Sequence, residues 1–286
     1  MRVAIIGASG QLGTELMSEF SDMEPLGLTH EAFDIESAQD VQALLSDRRL
    51  DLIINTAAFH AVDRCELEPE RAFAVNALAV ERLAAACSQA RVPLAHISTD
   101  YVFDGAARTP YVESDATAPI NAYGISKVAG ESLLRRRGGL HYIFRTSGLY
   151  AARGRSAKGK PFIERMLESA EGGRPLSVVD DVWFSPSYAG HVASAIRSVV
   201  EREVYGTYHV TNAGACTWHD FASEALRQAR YTLKIDKTSA TGNSSSVRRP
   251  AYSALSGRAM AAIGLPQMPA WQDGIEAFLK ARSAQG

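Results

Sequence analysis

The chain has 286 residues, enough for one large domain or two modest ones, and its 46% hydrophobic and 22% charged residues are typical of a globular protein. Its net charge of −2 provides no overall basic field, so we expect no nucleic-acid partner. The three cysteines are widely spaced and no run approaches ~20 apolar residues, so we expect no disulfide framework, no metal site and no membrane span, and predict a cytoplasmic location.

A glycine-rich turn follows the first predicted strand. Residues 2–6 form a short apolar run typical of a buried parallel strand, and residues 14–20 are predicted as helix. Between them the glycines recur as G-x-x-G-x-x-G, which permits a tight turn and brings backbone N–H groups close to a pyrophosphate at a helix N-terminus. The residues that we assign to this dinucleotide site are Gly7, Gly10, Gln11, Leu12 and Gly13.

The second predicted strand is residues 25–29. In dinucleotide-binding folds, the residues just after this strand contact the adenosine ribose. An acidic residue there favours NADH and an arginine favours NADPH, but this chain has His30 followed by Glu31. A histidine beside a 2′-phosphate and a solvated loop histidine both agree with the pattern, so the residues leave the choice of cofactor open. Residues 37–48 are predicted as an amphipathic helix capped by Ser37.

The third predicted strand, residues 51–54, ends in small residues at the edge where a doubly wound sheet binds its ligand. Ala57 and Ala58 allow a cofactor to approach the backbone, and we assign both to the cofactor site. Residues 69–90 are predicted as one long helix against the sheet. Within this helix, Asn76 is either an active-site residue or an exposed helix residue.

A fourth strand and the helix after it are predicted to bring polar residues together. Residues 92–97 are the strand, and a hydroxyl at its carboxyl end can donate a hydrogen bond to a substrate carbonyl. Tyr123 and Lys127 stand four residues apart, so on a helix their side chains share one face. An ammonium one turn away favours the phenolate and is expected to lower the pKa of Tyr123 from its usual ~10, which suits proton exchange near neutrality.

The remaining segments alternate strands and helices, which favours a parallel α/β sheet. The predicted strands are residues 141–145, 175–179 and 206–210, and the predicted helices are residues 123–137, 161–170, 188–200, 218–230 and 271–281. Residues 104–121 and 237–247 are predicted as loops. The basic segment 151–160 is interpreted as a solvated loop, with a mobile flap over a diphosphate as the alternative.

Three signals in this order resemble the extended short-chain dehydrogenase/reductase family, and within it the dTDP-4-dehydrorhamnose reductase branch. They are the glycine turn, the Ser-Thr-Asp-Tyr-Val-Phe run at residues 98–103, and the Tyr-x-x-x-Lys pair. The resemblance implies that Thr99 holds the substrate carbonyl oxygen, that Tyr123 donates the proton, and that Lys127 tunes Tyr123 and bonds the nicotinamide ribose. The other residues assigned on this basis are Asp34 and Ile35 beside the adenine, and Asp100 and Tyr101 beside the substrate, with a core position as the alternative for Tyr101.

The family fold has an N-terminal Rossmann domain, so we predict a doubly wound parallel sheet with a smaller C-terminal α/β substrate domain. The predicted boundaries are residues 1–150 for the NAD(P)-binding domain, with part of residues 187–212 returning to it, and residues 151–286 mainly for the substrate domain. The predicted activity is the NADPH-dependent reduction of a 4-keto nucleotide-sugar, dTDP-4-dehydrorhamnose in that branch. NADH is the alternative cofactor. A homodimer agrees with the sequence, which leaves the oligomeric state undecided.

Two departures from the family pattern fall in the predicted sugar pocket. Gly148 stands where relatives have a tryptophan, and Phe184 stands where they have a glycine. The two changes compensate if both side chains reach the same space, and otherwise they widen or redirect the pocket. The identity of the sugar and of the nucleotide therefore stays open at this point.

Two other functions share these motifs. An NAD-dependent nucleotide-sugar epimerase or dehydratase also has Tyr-x-x-x-Lys, but a dehydratase needs an acidic pair, and here Thr99 is followed by one acid, Asp100. A non-catalytic regulatory subunit, such as the reductase-like subunit of methionine adenosyltransferase, can retain the same residues while it only binds a cofactor. The sequence favours the reductase over both.

Overall fold

Strands and helices alternate along most of the chain. The structure, a computed structural model, describes residues 1–46, 49–155, 159–240 and 247–284. Its strands are β1 (Val3–Ile6), β2 (Leu26–Leu28), β3 (Leu52–Asn55), β4 (Leu94–Thr99), β5 (His141–Thr146), β6 (Leu149–Tyr150), β7 (Leu176–Val179), β8 (Trp183–Phe184), β9 (Ser187–Tyr188), β10 (Gly206–His209), β11 (Cys216–Thr217) and β12 (Ile235–Thr238). Its α-helices are α1 (Gln11–Glu19), α2 (Ala38–Ser46), α3 (Val62–Leu67), α4 (Pro69–Phe73), α5 (Ala79–Ala90), α6 (Ala122–Arg137), α7 (Phe162–Glu171), α8 (Ala189–Val200), α9 (Trp218–Gln228), α10 (Arg258–Ala262) and α11 (Trp271–Ser283).

The central sheet has the strand order β2-β1-β3-β4-β5-β10, and every neighbouring pair in it is parallel. All residues of β1 and β3 are buried, because helices cover both faces of a parallel sheet. Strand addition changes direction between β1 and β3, so a crevice opens beyond their carboxyl ends. The predicted α/β class with a doubly wound parallel sheet is confirmed.

Alternate residues of each strand contribute to two separate cores. Leu16 of α1 and Val192 of α8 pack on one face of the sheet, while Leu83 of α5 and Leu134 of α6 pack on the other. A third core lies between α7, α9 and α11 and includes β7 and β12, which pair in parallel. Helix α8 and strand β10 thus belong to the central sheet and its covering layer, whereas the exact domain boundaries stay a prediction.

The prediction of one uninterrupted α-helix over residues 69–90 is wrong in the middle of that range. A π-helical turn, Ala74–Leu78, separates α4 from α5. The wider turn lies where α6 comes closest, because the carbonyl oxygen of Asn76 is 2.1 Å from the position that a Cβ on Gly130 would take. Such turns occur frequently at functional sites.

Several other predictions change in detail. The predicted loop between β7 and α8 contains the two-residue strands β8 and β9. The helix after β11 starts where predicted, with a capping box between Thr217 and Asp220. Among the described residues, no helix is both long and apolar enough to span a membrane. Arg48, Lys158 and residues 241–246, which the predicted helix and loops included, lie outside the described residues.

We expect Gly130→Ala to lower the free energy of unfolding by about 1–3 kcal/mol, because the added Cβ overlaps a backbone atom that cannot move independently. Gly172→Ala is the control, since its φ is −82° and the nearest atoms to its Cβ lie 3.5 Å away. Urea unfolding measures both variants. Equal stability of the two variants would show that α6 and the π turn are not in this close contact.

Candidate active site

A cleft of about 860 Å³ opens at the carboxyl edge of the central sheet. Its walls come from the loops after β1, β3, β4 and β5 and from α7 and α9 in the C-terminal half. Clefts at this edge are the ligand sites of doubly wound folds. The predicted site residues that line it are Gly7, Gly10, Gln11, Leu12, Gly13, Asp34, Ile35, Ala57, Ala58, Thr99, Asp100, Tyr101, Tyr123 and Lys127.

The glycine turn excludes side chains where the chain is most crowded. Gly7 has a φ of +81°, and a Cβ there would lie 2.5 Å from Thr56 Oγ1. A Cβ on Gly13 would lie 2.1 Å from the carbonyl oxygen of Gly7, so this glycine lets α1 approach the turn. Helix α1 begins at Gln11 after an N-cap glycine with no side-chain cap, which leaves the first-turn N–H groups for an anion. The turn therefore fits the diphosphate of a dinucleotide.

Part of the basic segment after β6 packs against this turn. The backbone N–H of Arg155 donates to the carbonyl oxygen of Ser9 at 2.8 Å. Arg153 forms two hydrogen bonds to the carboxylate of Glu15, at 2.9 and 3.2 Å. The Arg155 guanidinium lies 3.1 Å from Glu31, just after β2 at the edge of the cleft. Arg153 and Arg155 are exposed to solvent, as the sequence predicted, but the hydrogen bonds anchor this part of the loop at the glycine turn.

The loop after β3 is held by the π turn. Asn76 is fully buried, its Oδ1 accepts from the Phe59 N–H at 2.9 Å, and its Nδ2 donates to the Phe59 carbonyl at 2.8 Å. Nδ2 also donates to Ser126 Oγ of α6 at 3.0 Å. The interpretation of Asn76 as an exposed residue is wrong, and its side chain instead fixes the loop that carries Ala57 and Ala58 along the cleft.

Thr99 ends β4 and Asp100 follows it, and Asp100 connects the two halves of the chain. Thr99 Oγ1 donates to Asp100 Oδ1 at 3.0 Å. Asp100 Oδ2 accepts from Ser147 Oγ at 2.8 Å and from Ser253 Oγ at 2.6 Å. Burial raises the pKa of Asp100, and the three hydroxyl donors oppose this shift because they stabilise the carboxylate. A hydroxyl has one proton, so Thr99 has to turn away from Asp100 before it can donate to a substrate.

Tyr123 lies in the first turn of α6, which Asn121 caps by accepting the Gly124 N–H at 2.9 Å. Its ring meets the Tyr101 ring edge-on at a centroid distance of 6.0 Å, and Thr99 lies close enough to its hydroxyl to oppose the rise of its pKa. Burial raises the pKa of Tyr123 above its ordinary value, and the nearby Asp100 acts in the same direction. The predicted lowering of this pKa is therefore wrong for the structure, in which Tyr123 is a neutral phenol.

Lys127 is 1% exposed and turns toward the sheet. Its Nζ donates to the Ile97 carbonyl oxygen at 2.7 Å and lies 3.1 Å from His96 Nε2. Burial lowers the pKa of Lys127 to about 8, although Glu131 opposes the shift. The helical spacing correctly put Lys127 in the cleft with Tyr123, but it could not show that the ammonium would meet strand β4.

Several buried polar partners are missing from the sequence-based assignment. His96 and Asn55 are fully buried in β4 and β3, with His96 Nδ1 3.2 Å from Asn55 Nδ2. Glu131 of α6 is fully buried and accepts two hydrogen bonds from Arg145 of β5, at 2.7 and 3.0 Å. Ser98 Oγ also donates to Glu131 at 2.6 Å. The sequence signal that could have identified Asn55, His96 and Arg145 is their position as polar residues inside otherwise apolar strands.

The two departures in the sugar pocket occupy one space. Gly148 has a φ of +52°, and a Cβ there would lie 2.3 Å from the Phe184 ring. The Phe184 ring is buried and stacks on Trp218 with centroids 4.0 Å apart and planes 14° apart. All three residues line the cleft. The geometry therefore favours the alternative in which the changes at positions 148 and 184 compensate. The Phe184 ring forms the aromatic wall here and leaves no room for a side chain at position 148.

Comparisons with known proteins agree over the whole chain. The sequence model of the RmlD substrate binding domain matches residues 1–283. The dTDP-4-dehydrorhamnose reductase of Shigella flexneri is 36% identical, and the alignment covers 98% of this chain and 97% of that protein. A probable dTDP-4,6-dihydroxy-2-methyloxan-3-one 4-ketoreductase of Streptomyces antibioticus is also 36% identical, covering 97% of this chain and 95% of that protein.

A solved structure gives the same result. The crystal structure of dTDP-4-dehydrorhamnose reductase from Bacillus anthracis in complex with NADP is 33% identical, with a TM-score of 0.93 over 98% of this chain and 99% of that chain. The resemblance predicted from the glycine turn and the Tyr-x-x-x-Lys pair is thus confirmed. The chain belongs to the RmlD family of NAD(P)-dependent oxidoreductases.

Proposed function

We propose that this protein reduces the 4-keto group of a nucleoside-diphosphate sugar with NADPH, and that the sugar nucleotide is dTDP-4-dehydrorhamnose, which becomes dTDP-L-rhamnose. One observation carries the proposal: Thr99, Tyr123 and Lys127 lie in the same cleft as the glycine turn. A proton donor and a dinucleotide site therefore share one cavity. The named activities of the relatives in Shigella and Streptomyces support a dTDP-linked keto-sugar.

The residues of the chain supply position and a proton. When bound, NADPH delivers a hydride to the carbonyl carbon. Tyr123 carries its proton near pH 7, because the ordinary pKa of tyrosine is ~10 and burial raises the pKa of Tyr123 further. It can therefore donate that proton to the oxygen on which charge develops. Thr99, which lies beside Tyr123, orients that oxygen once its hydroxyl has turned away from Asp100. The proposed role of Lys127 is to bond the nicotinamide ribose and to stabilise the phenolate that remains.

The geometry favours a reductase over the two alternatives. A dehydratase needs an available acid beside the hydroxyl, but the Asp100 carboxylate already accepts from Thr99, Ser147 and Ser253. A regulatory subunit can retain the same residues, but Tyr123 lies in the cofactor cleft, where turnover needs a proton donor. A homodimer and a cytoplasmic location stay predictions.

The proposed function is tested by following NADPH absorbance with dTDP-4-dehydrorhamnose and with a panel of other 4-keto nucleotide-sugars. Oxidation with the first compound supports the named reaction. Oxidation with another compound alone keeps the mechanism and replaces the substrate. Binding of NADPH in calorimetry without turnover on any compound favours the regulatory subunit, and absence of NADPH and NADH binding contradicts the whole proposal.

Tyr123→Phe should lower turnover by ~10²-fold or more, because it removes the donated proton and keeps the ring. NADPH affinity, measured by calorimetry, should change little. Tyr142→Phe is the control, since that buried tyrosine donates to Val200 on the far side of the central sheet. Wild-type turnover in Tyr123→Phe would mean that another group donates the proton.

Arg155→Ala should weaken NADPH binding by about tenfold and leave NADH binding nearly unchanged. The substitution removes a cation beside the predicted position of the 2′-phosphate and leaves the Glu31 carboxylate without its counter-charge. Arg202→Ala, an exposed arginine after α8, controls for net charge. Calorimetry with both cofactors decides, and equal losses for NADPH and NADH would refute the assignment of Arg155 to the phosphate.

A double-mutant cycle tests the wall formed by Phe184. Gly148→Ala should destabilise the wild type more than it destabilises Phe184→Ala, by about 1–3 kcal/mol in unfolding free energy, because the overlap with the ring is absent from the second background. Gly173→Ala shows the strain of a positive φ alone, since its φ is +62° and no atom lies within 4 Å of its Cβ. Additive effects at positions 148 and 184 would mean that the two residues do not share space.

A further inference from the structure

Three buried side chains form a line of contacts behind the proposed proton donor. Asn55 and His96 are fully buried, and Lys127 is 1% exposed. Asn55 Nδ2 lies 3.2 Å from His96 Nδ1, and Lys127 Nζ lies 3.1 Å from His96 Nε2. Each contact is a hydrogen bond only if one side carries the proton and the other offers a lone pair, so the proton positions can be worked out from the partners.

The backbone fixes the first proton. Asn55 Oδ1 accepts the Ala57 N–H at 3.0 Å, and a backbone N–H can only donate. The amide group is therefore oriented with its NH₂ toward His96, and Asn55 Nδ2 donates to His96 Nδ1. Because Nδ1 accepts, a neutral His96 has its proton on Nε2, facing Lys127.

An ammonium on Lys127 would then meet a second donor. Neither His96 Nε2–H nor an ammonium has a lone pair for the other. A neutral amine has one, and it can accept from His96 while it still donates to the Ile97 carbonyl at 2.7 Å. Both contacts of His96 are thus hydrogen bonds only when Lys127 is uncharged.

We propose that His96 holds Lys127 as a neutral amine in the cofactor-free protein at mildly alkaline pH, and that Lys127 takes up a proton from water when a nicotinamide dinucleotide occupies the cleft. His96 is then a positioning residue, which acts on the reaction through Lys127. The first half concerns the free protein alone, whereas the second half rests on the proposed function.

The electrostatic surroundings agree with this arrangement. Burial lowers the pKa of Lys127 to about 8, and burial together with Lys127 lowers the pKa of His96 well below its usual range. Glu131 opposes the shift of Lys127, but its carboxylate is already bonded to Arg145. Glu131 on α6 is the titratable group that acts on Lys127, and Lys127 acts on His96. Asp100 after β4 and Cys65 on α3 act on Tyr123, one helical turn before Lys127.

A bound dinucleotide favours the charged form of Lys127 over the neutral amine. Ribose hydroxyl oxygens accept from an ammonium, and the diphosphate adds negative charge, so both raise the pKa of Lys127 above about 8. A group whose pKa rises on binding favours binding fully below its free pKa. Cofactor affinity is therefore expected to be highest below about pH 8 and to fall as pH rises above it.

The first test is the tautomer of His96 in the cofactor-free protein at pH ~9, read from ¹⁵N shifts of labelled histidine and assigned by the loss of one signal in His96→Gln. The wild type is expected to show the Nε2–H form. Asn55→Asp keeps the size of the side chain but offers His96 an acceptor, so its His96 is expected to show the Nδ1–H form. An Nδ1–H form in the wild type would overturn the assignment.

The second test is the number of protons taken up on NADH binding at pH ~8.5, from calorimetry in two buffers of different ionisation enthalpy. NADH avoids titration of a 2′-phosphate. The wild type should take up ~0.5–1 proton, and Asn55→Asp should take up close to none, because Nε2 then accepts and Lys127 stays charged. Equal proton uptake by the two proteins, or no proton uptake by the wild type, would overturn the proposal that Lys127 is protonated when the dinucleotide binds.

The chain contains a matched control away from the cleft. Asn212 is also fully buried, its Oδ1 accepts the Tyr188 N–H at 2.9 Å, and its Nδ2 lies 2.8 Å from His191 Nδ1. Asn212→Asp should therefore keep the wild-type proton uptake. If the wild type does not bind NADH, proton uptake is measured with NADPH instead. A wild type that binds neither dinucleotide contradicts the proposed function, and the tautomer measurement still decides the role of His96 because it needs no cofactor.

Discussion

Two ionisable side chains buried on one face of α6 constrain the rest of the site. Glu131 is bonded to Arg145, and Lys127 is bonded to the backbone of β4 and faces His96. A buried charge without partners costs several kcal/mol, so the helix is stable only where strands β4 and β5 present these groups. Docking at that place puts Tyr123, one turn before Lys127, at the carboxyl edge of the sheet and in the cleft. The same contacts that hold the helix therefore position Tyr123, the proposed proton donor.

The two ends of the cleft are built differently. At the cofactor end, Gly7 and Gly13 allow backbone segments to approach so closely that any side chain would collide. At the end proposed to bind the sugar, an aromatic wall of Phe184 and Trp218 fills the space beside Gly148. A change of one large aromatic side chain can alter ligand discrimination by ~1–3 kcal/mol, so the sugar end is where members of such a family can differ while the chemistry stays the same.

The fold and much of the site were predictable because their signals are local. The glycine turn and the spacing of Tyr123 and Lys127 each lie within a few residues of sequence, and the family match covers nearly the whole chain. The raised pKa of Tyr123 was not predictable, because it depends on burial between segments far apart in sequence. His96 was missed for the same reason, since a histidine in a strand acquires its role only when β3 and α6 supply its partners. The pairing of positions 148 and 184 needed coordinates to decide between two stated alternatives.

In the proposed reaction, NADPH bound in this cleft would supply a hydride to the carbonyl carbon of a nucleotide-sugar while Tyr123 protonates the oxygen. The most direct measurement uses NADPH deuterated at the transferring position of the nicotinamide, with dTDP-4-dehydrorhamnose as the acceptor and NMR analysis of the sugar product. The account predicts one deuterium at C4 of the sugar for each NADPH oxidised. Oxidation of NADPH without deuterium at C4, or no deuterium transfer to any 4-keto nucleotide-sugar, would contradict it.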